Sequence, residues 1–240
     1  MGNKKDTSIY VHQRRKIAPQ LKIKEKIPWT EKQLEFIRLA QDKNTKIIFV
    51  SGPAGTSKTI LATYCSLHLL NEKKISDIVY IRSVVESASS KMGCLPGLAG
   101  EKFSPYAEPF LDKLDELLCA EDYKKMLSCD LVDFRPVNYL RGCQFSGKAV
   151  TLDEAQNLNR KELTTVLTRI GEFSKVFILG DPMQSDIGDK SAFVPFCEAF
   201  NNQDSASRGI HTFEFGKEDI VRSEILKHIV SVLESIKEKC

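Results

Sequence analysis

Hydrophobic and polar positions alternate along this chain with two different periods. In "WTEKQLEFIRLAQDKN" (29–44) Leu34, Ile37, Leu39 and Ala40 recur at helical spacing, with Thr30 placed to cap and acids in the first turn, which predicts a helix. "TKIIFVSG" is a short unbroken apolar run, the pattern of a strand buried on both faces of a parallel sheet. After a polar loop, "ILATYCSLHLLNEKK" returns to helical spacing and ends in lysines, which suit the negative end of a helix. Further strands are predicted at "DIVYIRS", "KAVTLDE" and "KVFILGD", and further helices near residues 105–127, 159–170 and 218–237. This alternation predicts an α/β fold in which a mostly parallel central sheet is flanked by helices. The last helix carries Ile225, Ile229, Val232, Leu233 and Ile236 on one face, so it is expected to dock on the core. Residues 86–105, with three glycines and two prolines, break the rhythm as a long loop of the functional or mobile kind.

Composition narrows the class without naming a chemistry. A chain of 240 residues, 42% hydrophobic and 28% charged, can bury one sizeable core, and one domain with insertions is expected. No apolar run approaches the roughly 18 residues of a membrane span, so no membrane partner is expected. The start "MGNKKDTSIY" has charges where a secretory signal needs an apolar stretch, which points to a cytoplasmic location. The seven cysteines are never closer than ten apart and the four histidines are scattered, so no zinc pattern exists; reduced thiols are expected. Charge is uneven. Residues 1–28 hold eight basic and two acidic side chains, a net +6, which leaves the remainder at −3 of the total +3. The chain thus divides into a basic N-terminal arm, 1–27, and a domain, 28–240. The arm suits contact with an anionic polymer or a solvated tail.

The chemistry sits at the ends of the predicted strands. "SGPAGTSKT" nearly spells the phosphate-cradling pattern GxxxxGK[ST]. Gly52, Pro53, Ala54, Gly55, Thr56 and Ser57 would form the loop, Lys58 would reach the β and γ phosphates, and the Thr59 hydroxyl would bind Mg²⁺. Ser57 replaces the last glycine. A side chain there crowds the phosphates if the backbone needs a positive φ, so a tuned affinity is expected and not its loss. "KAVTLDEAQN" delivers Asp153 and Glu154 to the C-terminal end of a strand, where open α/β sheets bind ligands. Asp153 suits Mg²⁺, held through water, and Glu154 suits the general base that polarises the attacking water. In "KVFILGDPMQSD", Gln184 can meet the γ phosphate or the water and Asp181 can link that state to its neighbours, or the segment is a plain turn. Arg82 ends a strand. Arg169 and Arg222, the latter expected in the first turn of the last helix, are candidate arginine fingers, acting within one subunit or across to another, or else surface ion pairs. A kinase would share the loop, but "DEAQN" fits attack by water better.

In this order, "GPAGTSKT", "LPGLAGEKFSPYAEPFLDKL", "LRGCQF", "VTLDEAQN", "LTRIGEFSK", "GDPMQSD" and "DIVRSEIL" resemble the PhoH family of P-loop ATPases over roughly residues 28–236. The resemblance implies a P-loop NTPase with a RecA-like core, similar to one motor domain of superfamily-one helicases, that uses ATP and Mg²⁺. It also implies that Gln33 matches a position associated with adenine recognition and that "RSVVES" matches a segment facing nucleic acid. Ring-like homo-oligomers, often hexamers, and action on single-stranded RNA or DNA are further implications. The chain departs from the family pattern at Ser57, at Ser83 where proline is usual, and in "VVESASS"; its length matches the short stand-alone members. Two readings follow: an ATPase that moves on or unwinds single strands, and an ATP-dependent binding or regulatory switch without helicase activity.

Overall fold

The structure, a computed structural model, describes residues 19–24, 27–83, 104–140 and 142–237. Most of the basic arm, most of "RSVVES" and nearly all of the loop at 86–105 lie outside these residues.

Six strands form one sheet: β1 Ile47–Ser51, β2 Ile78–Arg82, β3 Val132–Pro136, β4 Ala149–Asp153, β5 Lys175–Gly180 and β6 Ile210–Glu214. Their spatial order is β3-β2-β4-β5-β1-β6, and every pairing is parallel. The helices are α1 Glu31–Gln41, α2 Lys58–Asn71, α3 Ser104–Leu117, α4 Ala120–Ser128, α5 Arg160–Leu167, α6 Phe193–Phe200, α7 Gln203–Ser207 and α8 Glu224–Lys237. Alternate strand residues serve opposite faces. Phe49, Val79, Ile81, Val150, Leu152, Val176 and Ile178 pack with Leu163 and Val166 of α5 and Phe193 of α6. On the other face Ile48, Val50, Phe177 and Leu179 meet Phe36 of α1 and Leu61 of α2, while Ile78, Tyr80 and Ala149 meet α2, α3 and Met126 of α4. Each large apolar side chain so buried contributes about 1.5–3 kcal/mol, which explains why the inner strands read as continuous apolar runs.

Caps set the helix starts. Thr30 and Gln33 form a capping box on α1, and Asn159 and Glu162 form one on α5. Two helix predictions are corrected. The single helix expected at 105–127 is two, because Cys119 is extended (φ −76°, ψ 159°) and Leu118 bridges to Ile23. The helix expected from 218 starts at Glu224, after a separate 3₁₀ turn at Lys217–Asp219. The docking expected for that helix is overturned as well. Ile225, Ile229, Val232 and Leu233 are 71%, 45%, 43% and 53% exposed, and the side chain of Ile236 lies outside the described residues. Contact with the body runs along another face: Leu226 and the residues before it crowd Gly55, and Val230 is buried.

Residues 21–24, within the span assigned to the arm, lie on the domain. Leu21 is buried, its amide donates to Asn71, and the amide of Lys24 donates to the carbonyl of Leu117. Among the described residues, no helix is long and apolar enough to cross a membrane.

Candidate active site

The ends of β1, β4 and β5 lie side by side, so the segments leaving them share one cleft of about 750 Å³. β1 runs into the glycine loop and α2. Gly52 has no room for a Cβ, which would lie 2.8 Å from Cβ of Phe215, and Gly55 adopts φ +85° beneath Leu226, Ile220 and Arg222. Ser57 does adopt a positive φ, +70°, at the N-cap of α2, the geometry that makes its side chain matter. The Thr56 hydroxyl donates to the carbonyl of Pro53 (2.9 Å) and closes the loop on itself. Lys58 Nζ donates to the carbonyls of Gly52 (2.7 Å) and Pro53 (2.9 Å). Burial lowers its pKa, against the upward pull of Asp181, Asp153 and Glu154.

The carboxylates are organised separately. Asp153 Oδ2 accepts from the Thr59 hydroxyl (3.1 Å) and from the Tyr80 hydroxyl (2.8 Å), and Oδ1 accepts from the amide of Glu154 (3.0 Å). Glu154 turns into the left-handed region (φ 57°), which aims its side chain differently from that of its neighbour. Its Oε2 accepts from Gln156 Nε2 (2.6 Å), and Arg82 approaches Oε1 at 3.6 Å. Gln156 is fully buried, and its own oxygen accepts from the amide of Asp181 (3.1 Å). The β4 and β5 loops are tied further by Ser185 to the carbonyl of Gln156 and by Asn157 with Asp186.

Of the residues singled out in the sequence, Gln33, Ala54, Gly55, Ser57, Lys58, Thr59, Asp153, Glu154, Gln184 and Arg222 all line the cleft. Arg222 comes two residues before α8, and not from its first turn. Gln33 is buried; its oxygen accepts from the amide of Thr30, and its Nε2 is without a partner among the described residues, a donor beside Trp29 in the cleft wall. Arg169 is elsewhere. It follows α5 on the approach to β5, and its carbonyl accepts from the amide of Phe145 ahead of β4, so it sits at the opposite end of the sheet with a buried, unpartnered Nε.

Two participants were missed. Tyr80 reads as an ordinary aromatic in an apolar strand, and only its hydroxyl hints at a polar partner. Gln156 carries a signal, its place two residues after Glu154. A hydroxyl and a carboxylate on adjoining elements, beside a half-buried ammonium and curled backbone amides, are hard donors that fit Mg²⁺ carrying phosphate oxygens and water. Mg²⁺, when bound, supplies charge neutralisation between the phosphates.

A RecA-like parallel sheet with a glycine loop after β1, a single acid after β5 and an acid pair after β4 defines a P-loop ATPase domain, with a site for ATP and Mg²⁺. The sequence matches the family described as "PhoH-like protein" over residues 25–234, and the chain belongs to that family. It is 36% identical over 193 residues to the PhoH-like protein of Mycobacterium tuberculosis, which covers 80% of this chain and 53% of that one. With the PhoH-like protein of Bacillus subtilis it shares 34% over 200 residues, covering 82% and 60%. The chain therefore spans little more than half the length of these relatives. Among solved structures, the large terminase from the thermophilic bacteriophage D6E superposes with a TM-score of 0.51 over 85% of this chain and 50% of that chain, at 10% identity, a likeness of fold alone.

Proposed function

We propose that this domain hydrolyses MgATP in a cycle coupled to binding, translocation on or unwinding of single-stranded RNA or DNA, as a cytoplasmic homo-oligomer that includes hexameric rings. The observation that carries the hydrolytic part is the convergence of Lys58, Thr59, Asp153, Glu154, Gln184 and Arg222 on one cleft. In this reading the loop from Gly52 to Thr59 cradles the phosphates, Lys58 exchanges loop carbonyls for phosphate oxygens, and Thr59 with Asp153 holds Mg²⁺. Gln33 donates to the adenine, Glu154 orients water, and Gln184 reads the γ phosphate.

Coupling is supported by the chain of bonds from Glu154 through Gln156 to Asp181, and by the Ser83 hydroxyl, which donates to the carbonyl of Asn157 just before the segment at 84–103. Oligomerisation is supported by the outward apolar face of α8; in this reading Arg222 serves its own cleft, and Arg169, absent from that cleft, acts as a finger where a neighbour's cleft meets it and is otherwise structural. The five cysteines among the described residues are free, which suits a reducing compartment. The division into a basic arm and a domain is kept as part of this proposal, with residues 21–24 of the arm's span packed on the domain.

A second reading, an ATP-dependent switch, is favoured by the engagement of both Glu154 oxygens, by Gln156 and Arg82, which slows hydrolysis until they are released. The deciding experiment is ATP hydrolysis with Mg²⁺, with and without single-stranded RNA and DNA, beside Lys58→Ala and Glu154→Gln and with sedimentation of each protein. Polymer-stimulated turnover that both substitutions abolish is the expected result. Tight ATP binding with negligible, polymer-independent turnover selects the switch, and a fully active monomer overturns the subunit-interface role.

A further inference from the structure

The Asp153 carboxylate is held from three sides, and one of the three donors has no place in the P-loop pattern. Tyr80 lies in the middle of β2, 1% exposed, its ring against Phe110 of α3 (4.8 Å between centroids) and Phe134 of β3 (6.3 Å). A phenol so buried needs a partner for its hydroxyl. Here that partner is not a backbone carbonyl but the same Oδ2 that accepts from Thr59.

We propose that Tyr80 is a positioning residue for the metal site, its hydroxyl fixing the Asp153 carboxylate in the orientation that receives Mg²⁺ together with Thr59. This rests on the reading of Thr59 and Asp153 as the metal-holding pair. Oδ1 is held by the amide of Glu154, a bond that constrains one oxygen but not rotation about it. Oδ2 is held by Thr59, whose hydroxyl must itself reorient when its oxygen meets a metal. Tyr80 is the donor that does not move, because its ring is clamped between α3 and β3. Without it the carboxylate keeps its charge and loses its fixed direction. The loss falls on metal affinity, since outer partners of metal-holding carboxylates are worth about 10- to 100-fold there.

The test is Mn²⁺ titration of the full chain with ADP, followed by loss of the free-ion electron paramagnetic resonance signal, for the wild type, Tyr80→Phe and Phe110→Leu. ADP affinity in chelator and thermal unfolding are measured beside it. Tyr80→Phe is expected to weaken Mn²⁺ binding about tenfold while metal-free ADP affinity changes less than twofold and the protein stays folded. Its turnover at saturating Mg²⁺ should recover to within about twofold, with the loss appearing in the Mg²⁺ concentration for half-maximal rate. Phe110→Leu, which loosens the ring and leaves the hydroxyl, should lower the thermal midpoint more and metal affinity less. If Tyr80→Phe binds Mn²⁺ like the wild type, or loses no more affinity than Phe110→Leu does, the proposal is overturned and the metal site stands. Should the wild-type complex itself take up no Mn²⁺, the reading of Thr59 and Asp153 falls, and Tyr80 with it.

Discussion

Two lysines, one half-buried and one buried, stand at opposite ends of the sheet with nearly the same bonds. Lys58, where β1 hands over to α2, donates to the carbonyls of Gly52 and Pro53 at 2.7 and 2.9 Å. Lys175, at the start of β5, donates to the carbonyl of Asp42 at 2.8 Å and to that of Thr45. Burial lowers the pKa of both, to about 8 for Lys175. What separates them is their surroundings. Lys58 faces an open cleft with three carboxylates around it, so its ammonium has somewhere to go. Lys175 is 7% exposed and caps the turn after α1, with the Cys65 thiol near it. A buried ammonium bonded to carbonyls is therefore not a functional signal in itself; adjacency to space that a phosphate can fill is.

The comparison breaks or holds first on paired substitutions. Lys58→Met should lower ATP turnover by about 10²- to 10³-fold, the usual cost of one lost transition-state donor, and Lys175→Met should leave it within about twofold, both by steady-state hydrolysis. Equal losses would erase the distinction. Alkaline pH sharpens it next. Lys175 has a folded pKa below its unfolded one, so the unfolded chain binds more protons between about pH 8 and 10.5, and stability rises with pH there relative to Lys175→Met. A shift of this size is worth on the order of 3 kcal/mol and is read by denaturant unfolding at pH 7 and pH 10. At the other end the sign reverses for function. If Lys58 meets the phosphates as proposed, it does so protonated, so calorimetric triphosphate affinity should fall as pH rises, beginning on the acidic side of the ordinary 10.5. The smallest effect belongs to Ser57→Gly. Relief of a left-handed serine, about 1–2 kcal/mol, is offset by the greater freedom of glycine in the unfolded chain, about 0.5–1 kcal/mol. The thermal midpoint should rise slightly and triphosphate affinity by less than about fivefold.

The inner sheet was legible because β1, β2, β4 and β5 are covered on both faces and therefore spell unbroken apolar runs. The outer strands were not. In β3, "VDFRP", Asp133 and Arg135 pair with each other at 2.7 Å on a half-exposed edge, and β6, "IHTFE", is equally open. Strands so incompletely covered need few apolar residues, so their pattern dissolves into the polar background. The loop, Asp153 and Glu154 were readable as local words at strand ends. Tyr80 and Gln156 were not, because their value comes from partners 73 and 25 residues away, distances that no periodicity records. The helix face of Ile225 to Leu233 misled for a related reason: amphipathic spacing says that a face needs cover and is silent on what covers it.

The lead-in to α8 rests on the phosphate loop. Ile220, Arg222 and Leu226 crowd Gly55, and the amide of Val221 donates to its carbonyl at 3.1 Å. In mechanical terms α8 is a lever of about 20 Å whose near end bears on the glycine loop and whose face of Ile225, Ile229, Val232 and Leu233 is open to solvent. Tilt at the outer end would arrive at Gly55 as a change in preload, carried by Ile220, Arg222 and Leu226.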